Sequence, residues 1–295
     1  MYDIERFYQA KSIEDAIREL QEQPEAVVIS GGSDVLIKIR EGKLAGCSLV
    51  SIHGIKELQG ITMTEDGTIE IGPATSFSHI TNNALIMEHI PILGNAVDQV
   101  GGPQVRNIGT IGGNVCNGVT SADSASSLFV LNAQLELTGP EGVRVVPIHE
   151  FYTGPGRTVR GHEEILTKIR IAKADYEGFG GHYIKYGKRN AMEIATLGCA
   201  ALVKLSEDKK RIQTLRLAYG VAAPTPMRCR NTEEQAAGME IGPQLWETIG
   251  AGAVSEVNPR SSWRASKEFR LQLVEEMGKR AVKQAIVYAG GEADA

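Results

Sequence analysis

Apolar spacing divides the chain into three stretches. Ile13, Ala16, Ile17 and Leu20 recur at three- and four-residue steps, the stripe of an amphipathic helix, and Ser12 with Asp15 forms a capping pair at its start. The run 26–30 is short and apolar and reads as a buried strand. Val35, Leu36 and Ile39 return to helical spacing with Ser33 placed to cap them, and 49–53 reads as the next strand. This β-α-β-α-β opening ends near residue 55. Period-two patterns follow: 61–72 is a hairpin turning at Asp66-Gly67, and 135–148 is another turning across 139–142. Between them lie a helical region over 76–100, broken at Pro91, and a helix over 125–133. A loop covers 151–162 and a strand 165–171. Past residue 176, strands are expected at 182–187, 195–205 and 211–223, then helices at 232–238, 244–257 and 266–289. The last helix carries Phe269, Leu273, Met277, Ala281 and Ala285 at four-residue steps, read as one face. The modules are therefore drawn at 1–55, 56–176 and 177–295.

Composition narrows the function classes. With 295 residues, 42% hydrophobic and 23% charged, the chain matches an ordinary globular protein with an ample core. A formal net charge of -5 excludes global attraction to nucleic acid or an anionic membrane. No run reaches the ~18 apolar residues of a membrane span. The N-terminus lacks a signal-peptide plan, so a cytoplasmic protein is expected. Cys47, Cys116, Cys199 and Cys229 are scattered without a CxxC pair and are expected as free buried thiols, with no metal site. The six histidines form no HxxxH or Ser/His/Asp constellation, and no catalytic acid or base is assigned.

The candidate chemistry lies in two glycine loops. Ser30-Gly31-Gly32-Ser33-Asp34 sits between a strand and a helix, where free N–H groups and the helix dipole can hold a phosphate. It is neither GxGxxG nor a P-loop, and a plain strand-to-helix turn needing glycine is the competing reading. The run 104–126 packs Gly109, Gly112, Gly113 and Gly118 among small polar residues. Its core, Thr110-Ile111-Gly112-Gly113-Asn114, is expected to be nearly extended, with its amides and the Thr110 and Asn114 side chains exposed. Asp123 beyond it reads as a helix cap or as a carboxylate for ribityl hydroxyls. Two such loops, far apart in sequence, point to one ligand with a pyrophosphate, FAD. On this reading Gly112→Asp loses FAD by placing a charged side chain in the phosphate pocket.

The segments VVISGGSDVL, QVRNIGTIGGNVCNGVTSADSA, EEIL, HYIKYGKRNAMEIATLGCAAL and VAAPTPMRC occur in this order. In order and spacing they resemble the FAD-binding subunit of the xanthine dehydrogenase (molybdenum hydroxylase) family, close to the bacterial separate-chain form, over essentially the whole chain. The resemblance implies an α+β protein: a two-subdomain FAD-binding fold of the vanillyl-alcohol oxidase type, then a C-terminal α+β domain with a three-stranded antiparallel sheet and a small helix bundle. It implies that Val27, Val28, Ile29, Ser30, Gly31, Gly32, Ser33 and Asp34, with Gly109, Thr110, Ile111, Gly112 and Gly113, bind the FAD diphosphate. Asn114 and Asp123 match positions contacting the nucleotide or ribityl chain, Leu166 one packing near the flavin, and Lys185 a lysine reaching the cofactor. Arg106 faces either the phosphates or the surface. Some relatives place an aromatic against the flavin near Val100, and none stands there. A cysteine-rich insertion found in relatives acting on aromatic CoA thioesters is missing, which points towards purine or related heterocycle oxidation.

The implied role is electron transfer. A molybdenum-cofactor subunit oxidises the substrate, a [2Fe–2S] subunit relays electrons to FAD on this chain, and reduced flavin passes hydride to NAD+. Nucleic acid and membrane are not expected partners. Two other readings stay open: a self-sufficient FAD-dependent oxidase or dehydrogenase of the same cofactor fold, and a non-catalytic scaffold in which the glycine loops are structural.

Overall fold

A computed structural model describes residues 2–293. Its first elements are β1 (Ile4–Gln9), α1 (Ile13–Glu22), β2 (Val27–Ile29), α2 (Val35–Arg40) and β3 (Cys47–Ser51), the expected alternation. The strands form a parallel sheet in the order β1-β3-β2. Ser12 caps α1, accepting from the Asp15 N–H at 3.1 Å, and Ala16, Ile17 and Leu20 are buried behind it. Ser33 does not cap α2. Gly32 sits in the left-handed region (φ +75) and its carbonyl accepts from the Leu36 N–H at 3.0 Å, so the cap position falls to Asp34.

The second group holds β4 (Ile61–Met63), β5 (Ile69–Ile71), α3 (Phe77–Thr81), α4 (Ala84–His89), α5 (Pro91–Val97), α6 (Pro103–Ile108), α7 (Ile111–Cys116) and α8 (Asp123–Val130). It continues with β6 (Gln134–Gly139), β7 (Gly142–Pro147), α9 (Ile148–Phe151), β8 (Tyr152–Gly154), β9 (Arg157–Thr158) and β10 (Ile165–Ile171). Strand β10 enters between the two expected hairpins, giving an antiparallel sheet β4-β5-β10-β6-β7. Its apolar face packs on the helices: Ile71, Leu135 and Ile169 share one core with Leu93, Val97 and Leu128. Segment 151–162 is more ordered than the expected loop. It makes the small β8-β9 hairpin, whose Gly156 N–H donates to the Gly118 carbonyl at 2.9 Å.

The last group is β11 (Gly180–Tyr186), β12 (Leu197–Leu205), β13 (Ile212–Gly220), β14 (Met227–Arg228), α10 (Arg230–Ala236), α11 (Pro243–Glu256) and α12 (Lys267–Tyr288). The three expected strands are joined by a fourth, because Met227 and Arg228 fold back to pair with Tyr219 and Ala218. Strand β12 alternates between two cores. Cys199, Ala201 and Val203 face the helices α10–α12, while Ala200 and Leu202 join the core of the preceding group. That two-sided burial fixes the third sheet against the second group. The buried face of α12 is Arg270, Val274, Met277, Ala281 and Ala285, and Phe269 is exposed. A four-residue step overshoots one helical turn by ~40°, so the expected stripe walks out of the core at its N-terminal end. Among the described residues no helix is long and apolar enough to cross a membrane.

Candidate functional site

The two glycine loops touch. Gly31 follows β2, and a Cβ built on it would lie 1.9 Å from the Ile108 carbonyl oxygen and 3.1 Å from the Gly109 Cα. Only glycine permits that backbone approach. A second tie runs alongside: Lys38 of α2 donates from Nζ to Asn117 Oδ1 at 2.8 Å, just past α7. The amides of Gly31, Gly32, Ser33 and Asp34 find no acceptor in the chain among the described residues, and Ser30 Oγ is buried without a partner. A buried hydroxyl is seldom left so.

The second loop corrects the expectation of an extended strand. Residues 111–116 form the short helix α7. Thr110 is buried and caps it, its Oγ1 accepting from the Gly113 N–H at 3.3 Å. The Ile111 N–H donates to the Thr75 carbonyl at 3.1 Å and the Gly112 N–H to the Pro73 carbonyl at 2.8 Å. These amides are taken, so they are not free for a phosphate. A Cβ on Gly112 would meet Pro73 Cβ at 2.4 Å. This glycine serves close packing, and Gly112→Asp would break the fold locally before it placed charge in a pocket. Gly113 is the exposed member of the pair. Asn114 is half-buried, its Oδ1 accepting from the Ser124 hydroxyl at 2.7 Å.

Asp123 opens α8 behind Ala122 at the cap position, so it is not the cap itself. Its carboxylate is buried, with one partner on each oxygen. Oδ1 accepts from the Tyr183 hydroxyl at 2.8 Å, and Oδ2 pairs with Lys185 Nζ at 2.9 Å. Lys185 also donates to the Gln99 carbonyl at 2.8 Å. Burial pushes the Asp123 carboxyl up from its ordinary value, against the pull of Lys185 and then Tyr183. Tyr183 was not singled out from sequence. The signal was present, since residues 183 and 185 share one face of a strand. Arg106 pairs with Asp98 at 3.2 Å and donates to the Val100 carbonyl at 3.3 Å. Leu166 is buried in the same apolar core as Ile111 and Val115 of α7 and Tyr183, and Val100 packs against that core. The four cysteines are free thiols, and burial pushes Cys116 up to about 11. The arrangement suits a dinucleotide: unpaired loop amides beside a second backbone strand, then a polar cluster one helix further on.

Comparisons with known proteins agree. Residues 2–173 match the family described as "FAD binding domain in molybdopterin dehydrogenase", and residues 182–285 the "CO dehydrogenase flavoprotein C-terminal domain". The "Xanthine dehydrogenase FAD-binding subunit" of Escherichia coli O157:H7 is 43% identical over 292 residues, covering 99% of each chain. The "Carbon monoxide dehydrogenase medium chain" of Hydrogenophaga pseudoflava is 28% identical, covering 95% of this chain and 96% of its own. A solved structure of carbon monoxide dehydrogenase from the same organism superposes with a TM-score of 0.92 at 25% identity, over 98% of this chain and 99% of that one. The fold and site define an FAD-binding flavoprotein. The chain belongs to the family of FAD-binding subunits of xanthine dehydrogenase-type molybdenum hydroxylases, and is an oxidoreductase subunit.

Proposed function

We propose that this chain is the electron outlet of a purine- or related heterocycle-oxidising complex, working with a molybdenum-cofactor subunit and a [2Fe–2S] subunit. FAD bound here supplies the two-electron chemistry that links one-electron iron–sulfur carriers to hydride transfer onto NAD+. The chain's own residues bind and orient. Val27 to Asp34 and Gly109 to Gly113 frame the diphosphate site, the unpaired amides of Gly31 to Asp34 as donors and the second loop, its own amides engaged, as the wall packed against them. Asn114 and Asp123 take the nucleotide or ribityl chain, Leu166 lies against the flavin, and Lys185 reaches the cofactor from β11. The carrying observation is the backbone contact of Gly31 with Ile108 and Gly109, which puts both loops at one place.

The test is isolation of the native complex through this chain, with flavin, iron and molybdenum assayed in one sample and substrate-dependent NAD+ reduction followed. Expected are all three in fixed ratio and NADH formation. A lone chain that oxidises substrate without partners would overturn the reading in favour of a self-sufficient flavin enzyme.

A further inference from the structure

A surface patch that the FAD site does not use lies around the segment 187–196 and the turn before α12. Tyr186 stacks edge-on against Phe269 with ring centroids 5.6 Å apart. Trp263 is 78% exposed, the most exposed large apolar side chain among the described residues. Lys188 Nζ lies 6.0 Å and the Arg264 guanidinium 4.4 Å from its ring centroid. Met192 and Ile194 add further exposed apolar surface. Lys188, Arg260, Arg264 and Lys267 make no close ion pair among the described residues, and Arg264 Nε is buried without a partner. Arg270 lies beneath them, donating to the Thr196 and Arg260 carbonyls and the Ser262 hydroxyl and, among the described residues, to no carboxylate. Two acids lie within the patch: Glu193, held by Arg189 at 2.7 Å and also within reach of the Arg264 and Lys188 charges, and Glu268 beside Lys267, and the cations outnumber them.

Such a concentration of positive charge stands out in a chain of net charge -5. Exposed Trp, Tyr, Phe, Met and Arg together are the composition of a binding hot spot, not of a solvated face. The patch also borders the FAD site. The Met192 N–H donates to the Gly101 carbonyl at 2.9 Å, at the start of the run that leads into the second glycine loop. We infer that this patch docks a protein subunit with a carboxylate-rich face, and that the subunit is the iron–sulfur electron donor. The inference rests on the partner assignment under Proposed function. Unpaired arginines and a lysine demand acids on the other side, the aromatics supply the apolar centre, and the position brings a donor close to the cofactor.

The experiment uses the full FAD-loaded chain and the iron–sulfur subunit identified by its cluster absorption. Their dissociation constant is measured for wild type, Trp263→Ala, Lys188→Glu and Arg260→Glu, with flavin content and melting temperature as fold controls. Expected are a tenfold or greater weakening for each variant, wild-type flavin content, and wild-type binding that weakens steeply with salt. Variants that bind the iron–sulfur subunit as wild type does would overturn the patch while leaving the partnership intact. Wild-type chain that holds FAD yet binds no iron–sulfur subunit would overturn both. Variants that raise only the KM for NAD+ would overturn the protein-docking assignment in favour of a dinucleotide site.

Discussion

Replacing Gly31 by alanine tests the two-loop grip directly. The position has no left-handed φ, so alanine carries no backbone penalty there and its effect is steric. Its Cβ would fall 1.9 Å from the Ile108 carbonyl oxygen, where contacts under 3.0 Å essentially never occur. The loops must therefore part by about 1 Å or more, an overpacking of the kind that costs ~1–3 kcal/mol of stability. Amides displaced that far lose good geometry to the phosphate oxygens. Two bonds to a charged acceptor at ~1.5 kcal/mol each make ~3 kcal/mol, about a hundredfold in FAD affinity. The assay is titration of the apo-protein with FAD by flavin fluorescence, with a thermal melt alongside. Gly42→Ala is the control. It has φ +78 and nothing within 4 Å of the added Cβ, so it should lose ~1–2 kcal/mol of stability and keep FAD affinity. A Gly31→Ala protein that binds FAD within threefold of wild type would refute the idea that the two loops act as one grip.

Other outcomes follow from the same geometry. Gly113→Asp, at an exposed position where the added Cβ meets only the Thr110 hydroxyl at 3.0 Å, should keep its melting temperature within a few degrees and lose FAD affinity, read by the same titration. Lys185→Met leaves the Asp123 carboxylate buried without its cation and should destabilise by ~3–5 kcal/mol, and Asp123→Asn on top of it should recover part of that loss in denaturant melts. Glu70 is held below the usual carboxylate range, first by the Lys168 hydrogen bond and also by Arg170. A depressed folded value means its contribution is complete above the unfolded value near ~4.3 and is lost as pH falls through the folded one. Melts from neutral pH to pH 3 should therefore show a shallower acid decline for Glu70→Gln. Cys199 and Cys229 are buried and burial pushes both thiols up, so a thiol reagent at pH 8 should label half-buried Cys47 before either.

Local signals carried most of the fold. The hairpin at Asp66-Gly67 was legible because Gly67 takes a left-handed φ of +82, and strand 165–171 because its ends fall where alternation stops. The family order of motifs pointed to FAD. What stayed hidden was tertiary. Thr110 and two glycines have poor helix propensity, yet 111–116 is helical because Thr110 caps it and the carbonyls of Pro73 and Thr75 hold its first amides. The Asp123 pair with Lys185 spans 62 residues, and no window of sequence shows it. Ser33 lost its capping role to a left-handed Gly32, and the α12 stripe failed because four-residue steps drift around a helix.

The contact of Gly31 with Ile108 and Gly109 has a kinetic consequence. It closes a span of almost eighty residues, so it carries the loop-closure entropy of a long-range contact and cannot form before Ile108 exists. On the ribosome, at ~5–20 residues per second, the first loop waits several seconds for its counterpart to be synthesised. A dinucleotide gripped by both loops therefore needs a chain whose first hundred or so residues have already assembled.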